Sequence, residues 1–276
     1  MTRCIIALAF VFAIGCGQAS PARSTPSTDA LFEVAREWAD VAPNESAARA
    51  ELDRLAAAVR AKSKQHPTLP LRTALVTTLF GEQGFAREVD DTDLRFVLLP
   101  AVLEHRRGSC VGLGSLVLAL GERLDLSVHG VMVPGHFFVR VEEQGARANL
   151  ELLHRGEEMP DAWYVGRFPI PGGSAREYAR ELTRDEVRGV VEYDVGNDRR
   201  RRGDLHEAQR AYDLARRHFP DFAEAYASAG AIAQLLGSLD RAAADYEAAR
   251  RANPNLPGLE QNVQLLESER AGAAKP

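Results

Sequence analysis

Residues 104–114 read E-H-R-R-G-S-C-V-G-L-G, and residues 133–141 read V-P-G-H-F-F-V-R-V, so that His136 follows Cys110 by 26 residues. Gly108-Ser109 has the character of a helix cap, and the stretch from Cys110 to Arg123 repeats Leu113, Leu116 and Leu120 on one helical face. Gly112 and Gly114 would let that helix approach a neighbour closely. Past Arg123 the period shortens to two. S-V-H-G-V-M-V (127–133), H-F-F-V-R-V-E (136–142) and A-N-L-E-L-L (148–153) read as strands, turned at Pro134-Gly135 and around Gly145. Helices, then a thiol-bearing helix, then antiparallel strands predict an α+β domain.

Upstream the chain reads as helix. Leu31, Val34, Ala35 and Trp38 share a face, as do Ala48, Leu52, Leu55 and Val59, and again Leu71, Leu75, Leu79 and Phe80. Pro67 and Pro70 separate the second helix from the third, which breaks at G-E-Q-G-F (81–85). An acidic loop, Glu88 to Asp93, and an apolar run, Val97 to Leu103, lead to the cysteine.

The first 16 residues, M-T-R-C-I-I-A-L-A-F-V-F-A-I-G-C, have a positive start and an apolar core too short for a stable membrane span, the pattern of an export signal. Ala13-Ile14-Gly15-Cys16 resembles a bacterial lipobox. That resemblance implies cleavage before Cys16, lipidation of Cys16, and, with Gly17 and Gln18 following rather than Asp, an outer-membrane anchor facing the periplasm. Residues 17–28 read as a polar Ser/Thr/Pro tether. Of three cysteines, Cys4 and Cys16 lie in the export segment, so Cys110 is expected to be the mature protein's lone thiol, with no internal disulfide open to it. A net charge of −5 gives no reason to expect nucleic-acid binding.

Near the C-terminus, Gly203 and Gly237, Ala208 and Ala242, Tyr212 and Tyr246, Ala215 and Ala249, and Pro220 and Pro254 are each offset by 34 residues. That is the tetratricopeptide period. Two repeats are expected, about 189–222 and 223–256, with Tyr226, Gly230 and Ala233 in a first helix, and a capping helix carrying Leu259, Val263 and Leu266. The Arg199–Arg202 run reads as a solvated helix face, with a docking patch as the alternative. D-A-W-Y (161–164) reads as cleft lining or as ordinary packing.

A thiol at a helix N-terminus has its thiolate stabilised by the helix dipole, which can lower a cysteine pKa from about 8.5 to roughly 3.5–7.5. Arg106 and Arg107 stand close in sequence. His136 could act as base and then acid, and Asn149 and Glu151, two apart on one strand face, are candidates to hold the imidazole. There is no H-E-x-x-H, C-x-x-C, phosphate loop or G-x-S-x-G elbow, and His105, His129 and His154 lack ligand spacing. No cofactor or metal is expected.

L-F-G-E-Q-G-F (79–85), L-P-A-V-L-E-H-R-R-G-S-C-V-G-L-G (99–114) and L-G-E-R-L-D-L-S-V-H-G-V-M-V-P-G-H-F-F-V-R (120–140) together resemble the bacterial transglutaminase-like core domain, often followed by tetratricopeptide repeats. The resemblance covers about 70–190 and implies a papain-like transglutaminase fold over 29–188, with an all-α repeat segment over 189–276. It implies Cys110 as nucleophile, His136 as base and Glu151 as the acid, with Asn149 the alternative. The expected activity is that of a cysteine hydrolase or acyltransferase on amide bonds of a protein or peptide. The alternative is a non-catalytic adaptor in which both parts bind protein.

Overall fold

A computed structural model describes residues 27–88, 93–173 and 176–273. The export segment, the lipidation position Cys16, residues 17–26 of the tether and residues 89–92 of the acidic loop lie outside the described residues. The tether as read from sequence runs two residues too far. Helix α1 (Ser27–Trp38) begins at Ser27, anchored where the Thr28 backbone and hydroxyl both donate to Glu122 Oε2, at 3.1 and 2.5 Å.

Helix α2 (Glu45–Gln65) starts at Asn44, whose side chain accepts the Ala47 amide, and buries Leu52, Leu55 and Val59 completely. Helix α3 (Leu71–Val76) runs straight into a π-helical turn, Thr77–Glu82, that ends where the Gln83 amide reaches Thr78 O. Strand β1 (Ala86–Arg87) pairs in parallel with β2 (Arg107–Gly108), with α4 (Leu99–His105) between them. Two-residue strands carry no period, so neither is legible in the sequence. Helix α5 (Cys110–Leu124) follows β2 directly.

Strands β3 (Ser127–Val133), β4 (His136–Glu143), β5 (Ala146–Glu151) and β6 (Glu157–Met159) form an antiparallel sheet in the order β3-β4-β5-β6. The third strand stops two residues short of the sequence expectation. Glu151 caps the Leu153 amide at 3.0 Å and turns Leu152–His154 into a 3-10 helix. The free edge of β3 is covered by the segment before the C-terminal helices, with Ala179 and Leu182 amides on Met132 O and Gly130 O.

One sheet face, through Phe137, Val139 and Val141, packs on α5. The opposite face carries Phe138, on which Tyr164 of α6 (Asp161–Arg167) stacks at 3.7 Å between ring centres. A Cβ at Gly114 would sit 2.4 Å from the Phe137 ring and one at Gly112 would sit 2.1 Å from Phe96 O, so both glycines are there for contact.

The rest of the chain is helical: α7 (Arg184–Arg202), α8 (Leu205–His218), α9 (Ala223–Leu235), α10 (Leu239–Ala252) and α11 (Leu259–Ala273). Thr183 and Glu186 form a capping box at the start of α7, so the division placed at residues 188 and 189 falls inside a helix. The 34-residue offset appears as geometry. Gly203 and Gly237 close the two hairpins with φ of +84° and +74°. Tyr212 packs on Gly196 as Tyr246 packs on Gly230, a pair that also keeps the offset.

The main hydrophobic core runs from α1 through α5 and the sheet into Val190, Val195, Ala215 and Phe222, while α9, α10 and α11 pack around a separate cluster with Ala233, Tyr246 and Leu259. Arginines reinforce that junction. Arg199 donates to Trp38 O at 2.7 Å, Arg202 meets Asp40 at 2.7 Å, and Arg210 lies 3.7 Å over the Trp38 ring. The 199–202 run is therefore in part an internal dock, because the end of α1 and the turn after it supply a carbonyl at Trp38 and a carboxylate at Asp40 that periodicity does not reveal.

Candidate active site

Cys110 is the first residue of α5, and its position is fixed from both sides. The Ser109 hydroxyl accepts the Gly112 amide at 3.1 Å, and the Ser109 amide donates to Phe96 O at 2.8 Å. The β1–β2 bridge holds the two residues before the cap. The thiol is half-buried at the start of a 15-residue helix, where unpaired amides and the dipole favour an anion. Arg106 and Arg107 do not add to that field as sequence adjacency suggests. Arg106 donates to Gln83 O and Glu51, and Arg107 pairs with Glu88 at 2.7 Å.

His136 opens β4 and is 8 % exposed. Its Nε2 lies 2.7 Å from Glu151 Oε2, and Glu151 is 1 % exposed. The other Glu151 oxygen accepts the Leu153 amide, so both carboxylate oxygens have partners. The Phe168 ring stacks on the imidazole at 4.7 Å and 14°. The ring plane is thus set by an aromatic neighbour, and the tautomer by a carboxylate.

Of the two strand candidates, Glu151 reaches His136 and Asn149 does not. Asn149 lies opposite Arg140 in the ladder and accepts from its Nε at 2.8 Å, while its amide donates to Asp161 Oδ1 and Met159 O. The two-residue step places both on one face but leaves them in different neighbourhoods. Asp161 of D-A-W-Y joins Arg140 and Asn149, and Tyr164, buried against Phe138, also stacks with the His136 imidazole at 6.2 Å between ring centres and 17°. His105 faces Phe96, His154 faces Trp163, and His129 touches Ser127.

Cys110 and His136 line one cavity of about 300 Å³, together with Ser109, Val111, Met132 and Phe137. Its opposite wall belongs to the helical part: Val190, Tyr193, Asp194 and Asn197 from α7, with Phe222 and Glu224 at the start of α9. Sequence reasoning missed this wall. Its residues follow ordinary helical periodicity, and nothing local marks them as facing a thiol 80 or more residues earlier. Burial pushes the Glu224 carboxyl up to about 8, with the Glu177 carboxylate acting in the same direction.

Among the described residues, no group of three or more His, Cys, Asp or Glu side chains converges to hold a metal ion. No helix among them is long and apolar enough to cross a membrane.

Such an arrangement can present a thiolate to a carbonyl carbon and pass a proton through the imidazole. Comparison with known proteins agrees with that domain type. Residues 46–163 match the family model described as Transglutaminase-like superfamily. The chain is 37 % identical over 120 residues to a UPF0162 protein of Pseudomonas aeruginosa, covering 41 % of this chain and 44 % of that protein. It is 32 % identical over 135 residues to a UPF0162 protein of Haemophilus influenzae, covering 46 % and 49 %. The UPF0162 protein YchA of Escherichia coli is 32 % identical over 126 residues, covering 43 % and 46 %. The chain thus spans about half the length of the curated relatives it matches. The span that matches the transglutaminase-like superfamily model, residues 46–163, holds the Cys110 helix and the sheet that bears His136 and Glu151.

Proposed function

We propose that this chain is a cysteine hydrolase or acyltransferase acting on amide bonds of a protein or peptide, with Cys110 as nucleophile, His136 as base and acid, and Glu151 holding the imidazole. One observation carries the reading. Glu151 engages His136 Nε2 at 2.7 Å, which leaves Nδ1 as the ring nitrogen for the thiol in the cavity the two residues share. The Cys110 thiolate attacks the carbonyl carbon, and the imidazolium gives its proton to the departing amine as the C–N bond breaks. The thioester is then released to water or to a second amine. First-turn amides of α5 stabilise the oxyanion. A chloroacetamide probe followed by peptide mass spectrometry tests this. Labelling of Cys110 in the folded chain at mildly acidic pH, lost in His136→Ala, is expected. Labelling only after denaturation overturns it.

We further infer that the helical part is a pair of tetratricopeptide repeats with a capping helix. The 34-residue recurrence of the Gly–Tyr packing supports this, as do the two hairpin glycines. Because α7, α8 and the start of α9 share their core with α1 and α5, residues 184–273 alone should fold poorly and the whole chain should melt as one unit. The adaptor reading draws on the same repeats; a Cys110→Ala chain that keeps full biological function would favour it. The lipobox-like end at Cys16 supports an outer-membrane lipid anchor, and fatty-acid labelling that survives Cys16→Ser would remove it.

A further inference from the structure

The cavity before Cys110 has walls of two origins, and their chemistry differs. The wall from the sheet and α5 is thiol, imidazole and apolar side chains; the wall from the helical part carries two carboxyl groups, Asp194 and Glu224. Among the described residues, no Lys or Arg lines this space. The rings of Tyr193 and Phe222 meet at 4.8 Å and 51°, forming an aromatic corner beside the acids. Glu224 Oε1 accepts the Tyr178 hydroxyl, while Glu224 Oε2 is buried with no hydrogen-bond partner. A buried carboxyl oxygen in that condition is relieved by a donor entering the cavity. Acids and aromatic faces with no lysine or arginine in the lining are surroundings that favour a cation.

Building on the assignment of Cys110 as nucleophile, we propose that the helical part selects the substrate. The cavity takes a cationic group, a lysine ammonium or an arginine guanidinium of a protein or peptide, held by the Tyr193–Phe222 corner and the carboxyl groups of Glu224 and Asp194. The substrate is thereby read by a part of the chain distant in sequence from the nucleophile.

Charged thiol reagents test this without a known substrate. The intact chain is treated with three methanethiosulfonates, bearing an aminoethyl, a sulfonatoethyl or a methyl group, and modification of Cys110 is timed. Each rate is divided by that of a free cysteine peptide, and the methyl reagent is the reference within each variant. The aminoethyl reagent is expected to outpace the sulfonatoethyl reagent at least tenfold. Glu224→Gln and Asp194→Asn should each shrink that ratio severalfold. The ratio should also grow between pH 7 and pH 9. Glu224, held near 8, gains negative charge over that window; Glu177, Tyr178, Asp194 and His136 stand around it, and the neighbouring arginines, Arg180 acting on Glu177 and Arg200 acting on Tyr193, lie outside the cavity lining. Equal normalised rates, or a ratio untouched by either substitution, would overturn the proposal. Protection of Cys110 by acetyl-trimethyllysine amide but not by acetyl-norleucine amide is expected for a cation that is held; protection by lysine amide alone would mean an amine that reacts and would overturn holding. If the methyl reagent is also excluded from the folded chain, the nucleophile assignment falls and this proposal with it. If cation preference persists but His136→Ala leaves the rates unchanged, only the catalytic assignment falls.

Discussion

Among the described residues, two histidine–carboxylate pairs have the same length. His136 Nε2 stands 2.7 Å from Glu151 on the sheet, and His218 Nδ1 stands 2.7 Å from Glu192 between α8 and α7. Both carboxylates are almost wholly buried, at 1 % and 0 % exposure. The second pair is completed by Arg188, whose Nε reaches Glu192 at 3.0 Å and whose other end meets Glu33 of α1 at 2.9 Å. It is a hydrogen-bonded network around a buried carboxyl group that ties helices together. The first pair has a backbone amide where the second has a guanidinium, and its imidazole faces a cavity that also holds a thiol. A buried His–Glu contact is therefore not in itself a site. What makes one is the group on the other side of the ring.

That contrast can be broken most directly at the thiol. Cys110→Ala should lower turnover of any amide substrate by about 10³-fold or more, as loss of a nucleophile does. The melting temperature should move by only a few degrees, since the residue is half-buried. His218→Ala should leave turnover of the folded protein within about threefold, and a comparable collapse there would erase the distinction between the pairs. The carboxylates come next. Glu151→Gln should reduce kcat by roughly 10²–10⁴, in the range seen when a triad acid loses its charge, with KM little changed. Asn149→Ala, acting through Arg140, Asp161 and Met159 O, should cost about 1 kcal/mol of stability and leave kcat in place. If the two kinetic outcomes are reversed, the acid has been misassigned.

Glu192→Ala sharpens the other arm. Leaving His218 and Arg188 without their shared partner should cost about 3–5 kcal/mol in urea unfolding, with the kinetics of the folded fraction retained. A smaller effect is expected from the acids at the junction of the two parts. Burial raises both Glu177 and Glu224, the latter to about 8 against an ordinary value of 4.5. A raised folded-state value means that the neutral form is the one the fold favours. The corresponding stability is fully present below pH 4.5 and is lost as pH rises through about 8. Glu224→Gln should flatten that loss, by on the order of 2–4 kcal/mol in the difference between wild type and variant across the window. Parallel stability–pH curves for the two proteins would contradict the assignment.

Much of the architecture was legible in the residues themselves. The change of period after Arg123 separated helix from strand, Gly108-Ser109 marked the cap beneath Cys110, and the 34-residue spacing organised the C-terminal helices. Cys110 and His136 were legible as candidates because their residue types are scarce and each lies at the end of a regular element. These are local properties, set by backbone propensity and by which faces must leave water. Other features were settled only by the packed chain. Period two put Glu151 and Asn149 on one face, but only the diagonal reach across β4 and β5 gave the imidazole to Glu151. Strands β1, β2 and β6 are too short to have a pattern and exist because neighbours supply their hydrogen bonds. Arg199 turned inward because Trp38 O lay within reach. The acidic wall facing Cys110 arises because α7 and α9 dock where the thiol helix begins. The contacts that define it span more than 80 residues of chain, and no local sequence rule carries information over that distance.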